Sequence, residues 1–336
     1  MKEALFYQKL EGNKVRCDLC DHQCIISPGK RGICKVRENK DGVLYSLVYG
    51  KVVASNVDPI EKKPLFHFYP GSTAYSVATV GCNFHCLHCQ NWRISQVESG
   101  IVGKEISPET VVKNAINSRC QSIAYTYTEP TIFFEYAYDI AKIAHEKNLK
   151  NLFITNGYIS KEALKKISSY LDAANIDLKS MSNGFYRKVC GAKLQPVLDN
   201  IKLYHDLGIW IEVTTLIIPG YNDDTEELKS IAEFIRKVDA SIPWHVTGFY
   251  PSYKLNDISP TSAETLRNAV EVGKKAGLEY VYQGNINQGE NTYCPQCGKL
   301  LVKRDGFSTT VDNVKNGDCP YCGKHIAGRG MRKNKE

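Results

Sequence analysis

The chain has 336 residues, 43% hydrophobic and 24% charged, a globular composition with length enough for one large core plus appendages or for about two domains. Its 25 glycines and 13 prolines are too few for a collagen-like or low-complexity polymer, and disorder as the dominant state is excluded. The net charge of +7 falls short of the strongly basic footprint of a dedicated nucleic-acid binder, so nucleic acid is not a required partner.

From the first residues onward, Lys2, Glu3, Lys9, Glu11, Lys14 and Arg16 interrupt any apolar leader, and no later apolar run approaches membrane-spanning length. A soluble cytoplasmic protein without a membrane partner is expected. In that reducing compartment the 13 cysteines read as metal ligands or redox groups in preference to disulfides. Cys17, Cys20, Cys24 and Cys34 form a front group; Cys82, Cys86 and Cys89 a central one; Cys294, Cys297, Cys319 and Cys322 a terminal one. Cys120 and Cys190 are left over and read as small packed residues without a function.

After the front group, Val43 to Val57 reads as two strands around Gly50-Lys51, and Asp58 to Pro70 as a proline-containing connector. Short apolar runs then alternate with amphipathic stretches: Ala74 to Val80, Ser122 to Tyr127, Asn151 to Ile154, Ala173 to Leu178, Ile209 to Ile218, His245 to Tyr250 and Glu279 to Tyr282. Ser107-Pro108-Glu109 carries N-cap, first-turn proline and first-turn acid; Ser259-Pro260 opens a helix to Lys275 that Gly277 stops; Asp223 and Asp224 open another over Glu226 to Lys237. Such alternation predicts an α/β fold, a partial or full (β/α) barrel with its reactive groups on the loops after the strands' C-terminal ends. The expected divisions are a front cysteine segment over 1–70, the barrel over 71–290, a terminal cysteine module over 291–328 and a frayed basic tail over 329–336. Gly284, Asn285, Asn287, Gly289 and Asn291 mark the linker into the terminal module.

Gly81-Cys82-Asn83-Phe84-His85-Cys86-Leu87-His88-Cys89-Gln90-Asn91-Trp92 spaces three cysteines as C-x3-C-x2-C directly after a strand. Three thiolates on one tight loop can hold three irons of a [4Fe-4S] cubane, leaving the fourth iron without a protein ligand. The alternatives are a zinc site completed by His85 or His88 and a ferredoxin-like cluster with a distant fourth cysteine. The strand-end position, the interleaved aromatics and the lack of a spare cysteine nearby favour the open cluster.

This loop resembles the cluster motif of the radical S-adenosylmethionine (SAM) superfamily, whose members bind SAM at the unique iron. The resemblance implies reductive cleavage of SAM to methionine and a 5′-deoxyadenosyl radical that abstracts a hydrogen atom. More narrowly, the chain resembles the AmmeMemoRadiSam-system radical SAM enzyme, a branch similar to pyruvate formate-lyase-activating enzymes. That resemblance rests on Cys17-Asp18-Leu19-Cys20, Gly32-Ile33-Cys34-Lys35-Val36-Arg37, Gly81 to Trp92, Tyr125 to Pro130, Thr155-Asn156-Gly157, Asp177-Leu178-Lys179 and Ile218-Pro219-Gly220-Tyr221-Asn222 in their order along the chain. It implies a flavodoxin or ferredoxin as reductant and Memo-like and AMME-type proteins as companions. The alternatives are activation of a glycyl-radical enzyme and, from another class, a zinc-ribbon nucleic-acid binder, against which the central cysteine loop speaks.

The resemblance also implies the SAM contacts. Glu129-Pro130 matches the end of the activating enzymes' Gly-Gly-Glu-Pro turn, with Tyr127 and Thr128 in the places of the glycines, and makes Glu129 an acceptor for the methionyl ammonium. Asn156 and Asp177 would reach ribose hydroxyls or the amino-acid moiety, and Lys179 the carboxylate. From the residues alone, the acceptor role of Glu129 is favoured over a helix-capping carboxylate before Thr131, a turn residue is the alternative for Asn156, and a local ion pair on one face of a strand is that for Asp177 with Lys179. Thr214 and Tyr250 stand about where related activases place an arginine and a histidine, and His245 is another inward polar group.

Cys294-Pro295-Gln296-Cys297-Gly298 and Cys319-Pro320-Tyr321-Cys322-Gly323 are two C-x2-C-G knuckles, the signature of a zinc ribbon whose four thiolates close the coordination of Zn²⁺. Removing residues 291–336 is expected to cost that zinc but to spare the central cluster. For Cys17, Cys20, Cys24 and Cys34 the less regular spacing reads as zinc, with an auxiliary iron-sulfur cluster as the alternative.

Overall fold

The computed structural model describes residues 1–97, 100–286 and 289–331. Its centre is an eight-stranded sheet of β1 (Ala54–Pro59), β2 (Thr73–Ala78), β3 (Ser122–Tyr125), β4 (Lys150–Thr155), β5 (Ala173–Asp177), β6 (Trp210–Ile217), β7 (Trp244–Gly248) and β8 (Val281–Gly284), in sequence order across the sheet. From β2 to β8 every neighbour is parallel, while β1 joins β2 antiparallel. β1 and β8 are the sheet's two ends, so the barrel is partial.

All seven predicted runs are strands; β2 to β7 are mostly buried on both faces, as crossover helices require, while β8 at the sheet's end is only partly buried. The crossovers include α1 (Pro108–Asn117), α2 (Phe134–Glu146), α3 (Lys161–Ile167), α4 (Leu194–Asp206), α5 (Thr225–Val238) and α6 (Ala263–Lys275). Ser107 caps α1 by accepting from the Thr110 amide, and Asp224 caps α5 through the Glu227 amide. The start of α6 differs from expectation: Ser262, which accepts from the Thr265 amide, is the cap, and Ser259-Pro260 lie outside the helix. The reading of Val43 to Val57 as two strands also changes. Val43–Ser46 and Lys51–Val52 are short strands of smaller sheets, and the more polar Ala54–Pro59 enters the main sheet as β1.

Residues before β1 form two small antiparallel sheets that share the barrel's core. Phe6 packs edge-on against Phe134 of α2 at 5.2 Å, and the buried Arg37 pairs with Glu135 of the same helix. Beyond β8, the strands β9 (Thr292–Tyr293), β10 (Leu300–Asp305) and β11 (Ser308–Asp312) make a three-stranded antiparallel sheet. The chain end is not frayed throughout: Arg329 bonds to His67 and Tyr69 through the backbone, and Met331 is buried. Arg332, Lys333 and Lys335 of the expected tail, and Asn287 of the linker, lie outside the described residues. No helix among the described residues is long and apolar enough to cross a membrane.

Candidate active site and cysteine centres

The loop carrying Cys82, Cys86 and Cys89 leaves the C-terminal end of β2 and is tied down along its length. Gly81, at φ +102°, passes so close to the front segment that a Cβ there would lie 2.6 Å from Val36 Cγ1 and 3.1 Å from the Cys34 carbonyl oxygen. The His85 and Leu87 amides donate to the carbonyls of Cys190 and Val189, at 2.8 and 2.9 Å. Asn83 donates to the Tyr158 carbonyl at 2.9 Å and accepts from Asn156 Nδ2 at 2.8 Å. The Phe84 amide points at Cys82 Sγ, 3.3 Å away, and Ser95 Oγ lies 3.1 Å from Cys89 Sγ.

The expectation that no other cysteine stands near this loop does not hold. The Cys190 thiol lies against that of Cys86, whose pKa it lowers, while burial pushes the Cys190 thiol well up. Nothing in the sequence signals this sulfur contact, although Gly191, left-handed at φ +71°, marks the turn that presents the Cys190 carbonyl to the loop. Of the two histidines, His85 is exposed and bonds to Gln96, whereas His88 is buried with no hydrogen-bond partner for Nδ1.

Cys82, Cys86, Cys89, Glu129, Asn156, Asp177 and Lys179 all line one cavity of about 690 Å³ at the C-terminal ends of the parallel strands. Ligand pockets of several hundred cubic ångströms at this end are usual for parallel α/β folds. Glu129 is tied into the fold by four donors. Its Oε1 accepts from the Thr131 amide at 3.0 Å, Thr131 Oγ1 at 2.6 Å and Thr155 Oγ1 at 2.8 Å, and its Oε2 from the Asn156 amide at 2.8 Å. Three of the four donors crowd Oε1 and one reaches Oε2, so in this geometry Glu129 caps the turn and joins β3 to β4 while Oε2 keeps a free acceptor site. Tyr127, in the left-handed region at φ +63°, keeps its place in the same turn by donating to the Asp58 carboxylate.

Asn156 Oδ1 accepts from the Tyr158 amide at 2.9 Å, so this side chain bridges the β4 turn and the cysteine loop. Lys179 Nζ lies 2.8 Å from Asp177 Oδ2, with side-chain exposures of 13% and 41%. Burial opposes the charge on Lys179, but the Asp177 carboxylate and the Cys86 and Cys190 sulfurs outweigh it and hold the ammonium well above its ordinary pKa. The half-exposed Asp177 thus faces the cavity with acceptor capacity to spare.

Thr214 lines the cavity but donates to Asn175 at 2.8 Å, and Tyr250 is half exposed and donates to the Asn285 carbonyl. His245 is buried 2.7 Å from Glu212, a carboxylate that sequence reasoning did not single out. Burial works against the Glu212 charge; His245 and the His67 amide more than offset it and keep the carboxyl below its ordinary range.

In the terminal module the four sulfurs of Cys294, Cys297, Cys319 and Cys322 all lie within 4.8 Å of one another, with Cys294 to Cys322 at 3.5 Å and Cys297 to Cys319 at 3.7 Å. The two knuckles repeat one geometry. Gly298 at φ +69° and Gly323 at φ +74° donate back to the carbonyls of Cys294 and Cys319, each at 2.9 Å. The edge of a tetrahedron around zinc, from a Zn–S bond of about 2.3 Å, is about 3.8 Å, so a single ion fits.

Residues 76–235, from β2 into α5, match the Radical SAM superfamily profile. An uncharacterized protein of Methanocaldococcus jannaschii is 51% identical over 94% of this chain and 95% of its own length. Pyruvate formate-lyase 1-activating enzyme of Escherichia coli K12 is 20% identical over 60% of the chain and 89% of its own length. A radical SAM methyltransferase of Sphaerobacter thermophilus shares the fold at TM-score 0.52 and 14% identity, over 69% of this chain and 71% of that one. With three loop cysteines at the strand-end cavity of a partial parallel barrel, the chain belongs to the radical SAM superfamily.

Proposed function

We propose that the chain is a SAM-cleaving enzyme that holds a [4Fe-4S] cluster through Cys82, Cys86 and Cys89 and takes a hydrogen atom from its substrate. The observation that carries this reading is that these three cysteines share one strand-end cavity with Asn156, Asp177 and Lys179. When bound, the cluster supplies the electron that splits SAM into methionine and a 5′-deoxyadenosyl radical. Lys179 presents a buried cation to a carboxylate, and Asp177 a half-exposed acceptor to an ammonium or hydroxyls. Asn156 holds Asn83 and with it the cysteine loop, and Glu129 fixes the turn beside them. The strand ends and the loop line the cavity in which a reactive radical would have to be kept from side reactions.

The terminal cysteines hold a structural Zn²⁺ in this reading. A low-potential flavodoxin or ferredoxin supplies electrons, and Memo-like and AMME-type companions follow from the sequence resemblance alone. A second reading, activation of a glycyl-radical enzyme, is favoured by the likeness to the E. coli activating enzyme. Anaerobically reconstituted protein with SAM and reductant should release 5′-deoxyadenosine, and each of Cys82→Ala, Cys86→Ala and Cys89→Ala should abolish it. A folded triple variant that cleaves SAM at the parental rate overturns the assignment. Electron paramagnetic resonance with a candidate glycyl-radical enzyme then separates the readings: a stoichiometric glycyl radical selects activation, and deuterium passing from a labelled small-molecule pool into 5′-deoxyadenosine selects a small substrate.

A further inference from the structure

The front cysteines come from four points of the chain, yet Cys17, Cys20, Cys24 and Cys34 line one cavity together with Leu19 and Arg37. Backbone amides two residues further on, those of Leu19, His22 and Val36, face the sulfurs of Cys17, Cys20 and Cys34. The Phe84 amide stands in the same relation to Cys82 and donates to its sulfur at 3.3 Å. Amide-to-sulfur donation of this kind suits thiolates that carry charge as ligands.

Two further observations define the occupant. The Arg37 guanidinium is 1% exposed; Glu135 takes one nitrogen, while Nε and Nη1 have no hydrogen-bond partner. A buried, partly unpaired cation beside four thiols calls for an anionic group in the cavity. The second observation is spacing. Among the described residues, the terminal cysteines are the set of three or more metal-ligating side chains whose ligand atoms all fall within 4.8 Å; the front four do not draw that close, and neither do Cys82, Cys86 and Cys89. Thiolates around one zinc ion must stand about 3.8 Å apart. A cubane places an iron under each thiolate and holds the sulfurs farther apart.

We propose that Cys17, Cys20, Cys24 and Cys34 hold a second [4Fe-4S] cluster, replacing the zinc favoured by their sequence spacing. With a protein thiolate on every iron it has no vacancy for SAM or substrate, and the exchange open to it is of single electrons. Its position suits that exchange. The Cys34 carbonyl abuts Gly81, Asn83 lines the front cavity next to Cys82 of the central one, and His22 Nε2 lies 2.7 Å from the Asn83 carbonyl.

The test is metal and sulfide analysis of full-length protein after anaerobic reconstitution with iron and sulfide. The parent should carry about eight irons, about eight labile sulfides and about one zinc per chain. A Cys82→Ala, Cys86→Ala, Cys89→Ala triple variant should lose half the iron and keep a reduced-cluster paramagnetic signal that SAM does not alter. About four irons and about two zincs in the parent, or a folded triple variant with zinc but no iron, overturns the proposal. A triple variant that loses no iron would count against the central cluster, leaving the front one standing. If that variant does not fold, the parental iron-to-zinc ratio still decides.

Discussion

Arg304 of the terminal sheet donates from Nη2 to the Phe66 carbonyl at 2.7 Å and lays its guanidinium 4.2 Å from the Phe66 ring centroid. This contact sits in the seam between the two ends of the main sheet. Phe66 follows β1 and packs on Tyr282 of β8 at 4.8 Å, and Tyr282 meets Thr292 of β9 at 2.8 Å. The terminal module therefore closes the side of the partial barrel.

Arg304 also lies 3.6 Å from Glu61, with both side chains fully buried, while Glu61 accepts from Gly71 and Thr309. Arg304→Met should leave that carboxylate without its cation and cost about 3–5 kcal/mol. Urea denaturation measures it, and the Arg304→Met, Glu61→Gln double variant should recover part of the loss. A loss below about 1 kcal/mol would show the seam to be held by apolar contacts alone.

Zinc at the terminal knuckles should stabilise the barrel through the same seam. Cys319→Ser should lower the zinc content by about one per chain and lower the unfolding temperature, with iron unchanged. Zinc content equal to the parent's would refute the ribbon site.

Strands β2 to β7 were legible because burial on both faces writes an apolar run into the sequence, and β8 by the short run that ends in the buried Tyr282. β1 was not. Its Ser55, Asn56 and Asp58 are polar, and the Asp58 carboxylate is held in the strand's place by the nearby Lys63 and by Ser76 and Tyr127 from other strands and turns. The site divides in the same way. Cysteine spacing announces a ligand loop, but the separation of the front sulfurs and the contact of Cys190 with Cys86 depend on how segments pack. The four donors on Glu129 belong to two different strand-end turns, which no local pattern joins.

Lys179→Met is the clean probe of the cavity's cation. It leaves Asp177, with 41% of its side chain exposed, able to turn to water, whereas Asp177→Asn would leave the more buried Lys179 without its partner. A charge-assisted hydrogen bond of about 1.5–3 kcal/mol predicts a loss of about tenfold or more in SAM affinity, with the unfolding transition little changed. Equilibrium binding to the reconstituted protein reads the first and thermal denaturation the second. Unchanged affinity would remove Lys179 from the SAM site.

The seam also predicts a pH dependence of stability. His67 is fully buried, its Nδ1 donating to the Ala327 carbonyl at 2.7 Å and its Nε2 accepting from the Tyr282 hydroxyl at 2.6 Å, so the neutral ring is fully bonded. Burial lowers its pKa from 6.5 to about 4; Glu212 pulls the other way, and Arg304 and His245 add to the lowering. Between those values the unfolded chain takes up a proton that the folded chain refuses. Stability is therefore full above the unfolded value and falls as the pH drops through the interval, by on the order of 3 kcal/mol at its lower end. His67→Gln, whose amide can still donate to Ala327, should be less stable at neutral pH but lose less on acidification. The measurement is urea denaturation at a series of pH values between 7 and 4, compared as the difference between parent and variant. A difference that stays constant across the series would show that His67 does not titrate with folding.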